Sequence, residues 1–135
     1  MTIISSDGER FVSVGSAALW WSLYSTMLAR IDRFVERYEA LNTFFKSQEC
    51  ASESALQIAE QLEVIKQSLS AIRPELAVYD INHPEVLPPW TEYINPAVSS
   101  CAELYTTEDG LNLMDELIGL LKYAGSTGTV IKPAM

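Results

Sequence analysis

Apolar residues recur at helical spacing through much of this chain, and four stretches carry the pattern. Ser16 is suited to cap a helix running to about Arg30, with Trp20, Leu23 or Tyr24, Met27 and Ile31 on one face. Ala17, Trp21 and Leu28 occupy its other side, so the helix is apolar nearly all round. Such a helix is buried in a core or against a partner. A second helix, about Asp32 to Lys46, spaces Phe34, Tyr38, Leu41 and Phe45 at three and four residues, with Arg33, Glu36, Arg37 and Glu39 facing water. After a polar break at Ser47–Ser52, a third helix to about Arg73 repeats Ile58, Leu62, Ile65, Leu69 and Ile72, and Pro74 ends it. Thr107 is suited to cap a fourth helix, with Glu108 and Asp109 in its first turn complementing the helix dipole. That helix runs to about Ala124, burying Leu113, Leu117 and Leu120, and Gly125 fits the position just past its end.

Shorter alternating or apolar runs predict strands. Residues 10–14 alternate, Leu76–Ile81 reads as a short buried strand, and Thr127–Lys132 reads as an edge strand that Pro133 limits. Ala102–Thr106 forms a strand or continues a helical turn opened by Pro96. Between them, Asn82–Pro96 is a long loop holding Pro84, Pro88, Pro89 and Pro96. The expected fold class is α+β: four helices packed with a small sheet of three or four short strands, in a single domain over 1–135.

Composition narrows the possible functions. The chain has 135 residues, 48% apolar and 20% charged, which is globular composition rather than that of a disordered chain. Its net charge is −9, which disfavours nucleic acid and anionic lipid as partners. The charge is also unevenly placed. Nine acids (Glu75, Asp80, Glu85, Glu92, Glu103, Glu108, Asp109, Asp115 and Glu116) lie between Pro74 and Leu121, a stretch with no Lys or Arg. The rest of the chain is neutral in sum, so this segment carries the whole excess. An acidic block keeps a domain soluble; it also speeds encounter with a basic partner.

Phe11–Ala29 is uncharged over 19 residues, a length that can span a bilayer. Gly15 and the hydroxyls of Ser13, Ser16, Ser22, Ser25 and Thr26 instead split it into a strand and a buried helix. Membrane attachment is therefore not expected. The first ten residues, with Asp7 and Glu9, do not form an export signal, and two Cys are too few for a disulfide scaffold. A cytoplasmic location is expected.

Chemistry-bearing residues are sparse. Cys50 and Cys101 lie in no recognisable nucleophile context and read as small core or helix-end residues. Asp80, His83 and Glu85 are possible metal ligands, the basis for an alternative reading as a small metal-assisted hydrolase, but their spacing matches no strong motif. Neither a catalytic set nor a metal or cofactor site is expected. The most informative segment is Leu87-Pro-Pro-Trp-Thr-Glu-Tyr-Ile-Asn-Pro96. Its prolines fix an extended backbone that presents Trp90 and Tyr93 among Glu85 and Glu92. Trp and Tyr dominate protein-interface hot spots; equally, Trp90 can plug the core while the prolines pin a connection.

The order of Val14-Gly15-Ser16, Ser22-Leu-Tyr-Ser-Thr26, Val78-Tyr-Asp-Ile81, Pro88-Pro-Trp90, Ile94 and Tyr105-Thr-Thr-Glu-Asp-Gly110 with Leu113 resembles the immunity protein 70 family of bacterial polymorphic toxin systems. The resemblance covers about residues 11 to 124; Ile31–Glu53 is richer in charge and helix signal than the family pattern. It implies a small cytoplasmic protein that binds a cognate toxin C-terminal domain non-covalently and blocks it, protecting producer and kin. It implies no catalytic motif, and Gly15, Pro89, Trp90 and Gly110 would hold the fold rather than touch the toxin. The acidic block adds an expectation of its own: its carboxylates lie largely on one face and meet a basic toxin. The expected toxin-binding residues are Asp80, Glu85, Trp90, Glu92, Tyr93, Glu108 and Asp109. A binding or structural module that docks its apolar first helix on some other partner is the alternative, and the same helix permits a homodimer.

Overall fold

A computed structural model describes residues 1–134. Its centre is one continuous cluster of buried side chains, contributed by a small sheet and by every long helix. The sheet is antiparallel with strand order β2-β1-β3, where β1 is Thr2–Ser5, β2 is Phe11–Ser13 and β3 is Ile131–Pro133. Thr2 faces Ser13 and Ile3 faces Val12 on one side of β1; Ile3 faces Pro133 and Ser5 faces Ile131 on the other. Ile3, Val12 and Ile131 point into the core. Two single bridges broaden the sheet, Val14 with Thr107 beyond β2 and Cys50 with Ile131 beyond β3. The α+β expectation therefore holds, but the central strand is one that the sequence reading did not assign. The apolar part of β1 is only the pair Ile3–Ile4, too short to register as a periodic run.

Helix α1 (Ala17–Arg30) starts where expected, with Ser16 Oγ accepting the Leu19 N–H at 3.2 Å. Trp20, Leu23, Tyr24 and Met27 are buried, and so are Ser22, Ser25 and Thr26. The chain itself covers the apolar helix. Among the described residues no helix is long and apolar enough to cross a membrane.

The predicted second helix is broken in two, α2 (Phe34–Arg37) and α3 (Glu39–Ser47). Tyr38 leaves helical geometry at φ −129°, ψ 52°. Its stripe is still correct in membership, since Phe34, Tyr38, Leu41 and Phe45 are all buried. The break lets the stripe wrap α1: Phe34 meets Tyr24 edge-on at 6.3 Å, and Phe45 stacks on Trp20 at 4.4 Å. The Trp20 indole N–H also donates to the Phe45 carbonyl at 2.9 Å.

Helix α4 (Ser52–Leu69) buries Ile58, Leu62, Ile65 and Leu69 as predicted, but ends before Ile72. The chain tightens there into turns closed by Ala71 N–H to Ser68 O and Ile72 N–H to Leu69 O. Pro74–Leu76 then forms one 3₁₀ turn, and Cys101–Leu104 forms a short helix, α5. Helix α6 (Leu113–Thr127) runs antiparallel to α4, as their cross-links show: Lys66 pairs with Asp115, Glu63 with Lys122 at 2.6 Å, and Leu56 lies against Gly125.

Both ends of α6 differ from expectation. Its cap is Asn112, whose Oδ1 accepts the Asp115 N–H at 3.0 Å; Thr107 instead closes a turn, its Oγ1 accepting the Leu111 N–H at 3.1 Å. Glu108 and Asp109 therefore sit on that turn, and Asp115 and Glu116 take the first helical turn. At the other end Gly128, with φ 74°, terminates the helix in the left-handed conformation that suits glycine, while Gly125 lies inside it.

Candidate functional site

The segment after the 3₁₀ turn, residues 77–81, is not the strand that Leu76–Ile81 suggests. It crosses α1 as an irregular strap, and helix hydroxyls replace a neighbouring strand. Ser22 Oγ and Thr26 Oγ1 donate to the Val78 carbonyl at 2.7 and 3.2 Å, and Thr26 Oγ1 accepts the Val78 N–H at 2.9 Å. Ser25 Oγ accepts the Ile81 N–H at 3.2 Å. Beneath the strap the Tyr105 hydroxyl sits 3.0 Å from Ser22 Oγ and 2.8 Å from Thr26 Oγ1, and burial pushes its pKa up to about 12.

Asp80 ends the strap with a structural task. Its Oδ1 accepts the Trp21 indole N–H at 2.8 Å and the Asn82 N–H at 3.0 Å. The indole hydrogen bond is the main reason its carboxyl is held below the ordinary value of 3.8. His83 and Glu85 lie beyond it on the exposed loop, 3.7 Å apart. Among the described residues no three His, Cys, Asp or Glu side chains are placed to hold a metal ion. The D-x-x-H-x-E arrangement thus does not converge on a site. Both thiols are buried and free, and burial pushes each pKa up to about 11, which keeps them protonated and poorly nucleophilic.

The proline-rich loop packs back on the strap through Trp90. The indole meets Tyr79 edge-on at 5.9 Å and Tyr105 at 6.2 Å, and it is half-buried, so Trp90 packs partly into the fold. Thr91 and Tyr93 fold over it in turns closed by Pro88 O and Trp90 O. The fixed loop then presents its apolar tip to water: Leu87 is 70% exposed and Tyr93 71%. Glu85 and Glu92 are exposed on the same loop. Between strap and loop lies a cleft of about 330 Å³, lined by Arg30, Glu75, Val78, Asp80, Trp90 and Ile94 among others.

Glu108 and Asp109 belong to a separate exposed turn, attached to the sheet by the Glu108 N–H donating to Ser13 O at 3.0 Å. The strap is tied to α1 through Trp21, and the turn to Val14 just before the helix. Asp115 is neutralised by Lys66 from α4, a pairing invisible in the 74–121 stretch alone. Sequence reasoning did not find Glu75, Arg30, Val86 or Leu87 as lining residues. The one available signal was the apolar pair Val86-Leu87 inside a loop, where exposure is the default.

Fold and site together define a small acidic α+β scaffold that presents a pinned aromatic loop at its surface. The model of the family described as Immunity protein 70 matches residues 5–132, and the chain belongs to that family. The match includes Ile31–Glu53, where the broken helix packs on α1. No curated protein and no solved structure matches the chain.

Proposed function

We propose that this chain is an immunity protein that captures a cognate bacterial toxin domain in the cytoplasm and neutralises it without catalysis, protecting producer and kin cells. Membership of the immunity protein 70 family over residues 5–132 is the observation that carries this reading. The surface supports it. Tyr93 and Leu87 stand out of a loop whose shape is set by prolines and by Trp90, so little conformational entropy is lost when a partner docks. Glu85 and Glu92 flank them on the loop, and Glu108 and Asp109 are exposed on a separate turn. Asp80 and Trp90 contribute from the edge of the cleft. Carboxylates without bases in the same segment draw in a basic enzyme, and electrostatic steering brings association to about 10⁸–10⁹ M⁻¹s⁻¹ at low salt. An inhibitor must outrun its enzyme, so this speed is of use.

The binding-module alternative relied on an uncovered first helix. Helix α1 is instead enclosed by the strap and by α3, and its exposed positions are Ala17, Ala18, Ala29 and Arg30. The hydrolase alternative required Asp80, His83 and Glu85 to converge, and Asp80 is committed to Trp21.

Co-expression with the toxin C-terminal domain encoded beside this gene tests the proposal. Growth is rescued and the two chains co-purify if it is right. Undiminished killing by that domain, with this protein folded and abundant, contradicts it.

A further inference from the structure

The cleft between strap and loop combines apolar wall with carboxylates. Val78, Pro88, Trp90 and Ile94 supply apolar wall, and Glu75 and Asp80 supply carboxylates. Among the described residues Arg30 is the only cation lining it, and its Nε–H donates to the Leu76 carbonyl at 2.8 Å. Asp80 takes both of its own hydrogen bonds on Oδ1, so Oδ2 remains to accept. At about 330 Å³ the volume is at the small end of ligand pockets, which run to about 1,000 Å³. It suits an inserted side chain better than a large cofactor.

Charge and shape together select the occupant. An anionic group would meet two carboxylates, Glu75 and Asp80, against the single guanidinium of Arg30, so the lining is acidic by one charge. A wholly apolar group would strip water from Glu75 and Asp80 and give nothing back. A long aliphatic stem with a cationic head satisfies both walls, because Lys and Arg bury their stems while the head seeks charge. The Trp90 indole adds an aromatic surface that favours a cation close by.

We infer that this cleft is the anchor for one Arg or Lys side chain of the toxin, an inference that rests on the immunity-protein reading. The stem lies along Val78, Pro88 and Trp90, and the head bridges Glu75 and Asp80. The loop tip at Leu87 closes over it from the rim. Glu75 becomes the specificity-determining acid, since Asp80 is also needed to hold Trp21.

Calorimetric titration of the toxin domain into the full chain tests this. Glu75 is exposed, so its variants keep the wild-type melting curve. Glu75→Gln weakens binding about tenfold and Glu75→Lys about a hundredfold, while Glu60→Gln, which removes the same charge from α4, changes it less than about twofold. Replacing the toxin's basic residues one at a time with Met identifies the inserted side chain: in that background alone, Glu75→Gln has no further effect. Wild-type affinity in both Glu75 variants, or coupling to no basic residue, overturns the cleft assignment and leaves the immunity reading standing. Failure of the wild-type chain to bind the toxin domain removes the immunity reading, and the anchor with it.

Discussion

A single hydroxyl shows how residues set the site. Tyr105 OH joins Ser22 and Thr26 of α1 beneath the strap, and its ring supports Trp90. Tyr105→Phe keeps the ring and leaves buried hydroxyls short of a partner, at a cost of about 1–3 kcal/mol. Urea unfolding measures it, and an unchanged midpoint would show that the network carries no net energy. Asp80 makes a pH-dependent contribution. Its folded pKa is below the ordinary 3.8, so the carboxylate adds stability above that pH and loses it as pH falls through the folded value. Asp80→Asn is therefore less stable than wild type at neutral pH, and the gap closes well below pH 3.8. A gap that persists in acid would mean that charge is not the cause. The hydroxyls of Ser22, Ser25 and Thr26 were visible in the sequence as features that spoil a membrane span. Their task was not legible, because it depends on a strap more than fifty residues away along the chain.

At the scale of elements, the α4–α6 pair includes one close approach. A Cβ built on Gly125 would lie 2.5 Å from Leu56 Cγ and 3.3 Å from the Leu56 backbone nitrogen. Gly125→Ala therefore forces the helices apart or turns Leu56 outward, at about 1–3 kcal/mol. Leu56 is half-exposed, and Leu56→Ala relieves the side-chain clash, so the double variant recovers part of the loss in thermal melts. Additive losses would place the strain in the backbone contact instead. Placing Gly125 at the end of α6 was reasonable from sequence, since glycine commonly follows a helix. The helix runs on through Ser126 and Thr127 to a second glycine at 128. Periodicity found the stripes of α1, α4 and α6 and the membership of the 34/38/41/45 stripe. It missed the kink at Tyr38, which is set by wrapping around α1, and it mistook the strap for a strand, because apolar runs do not say what satisfies their backbone.

Across the whole molecule, folding partly redistributes the charge that the sequence concentrates in one third of the chain. Lys66 neutralises Asp115, and the Ser99 backbone N–H and hydroxyl donate to Glu103, lowering its pKa. Glu85 and Glu92 stay exposed on the loop, and Glu108 and Asp109 on the separate turn. Under the proposed function these four set the rate of capture, whereas Leu87, Tyr93 and the cleft set how long the complex lasts. The loop was legible as a pinned, aromatic-presenting segment from its prolines and aromatics. The cleft behind it was not, because Glu75 and Arg30 come together only when the strap lies down on α1. Stopped-flow association with the cognate toxin domain over a range of salt is the most direct measurement. Wild type associates fast and slows steeply with salt; the variant carrying Glu85→Gln, Glu92→Gln, Glu108→Gln and Asp109→Asn associates at least about tenfold more slowly at low salt, with a flatter dependence. Equal rates and equal salt slopes for the two proteins would contradict capture by the acidic surface.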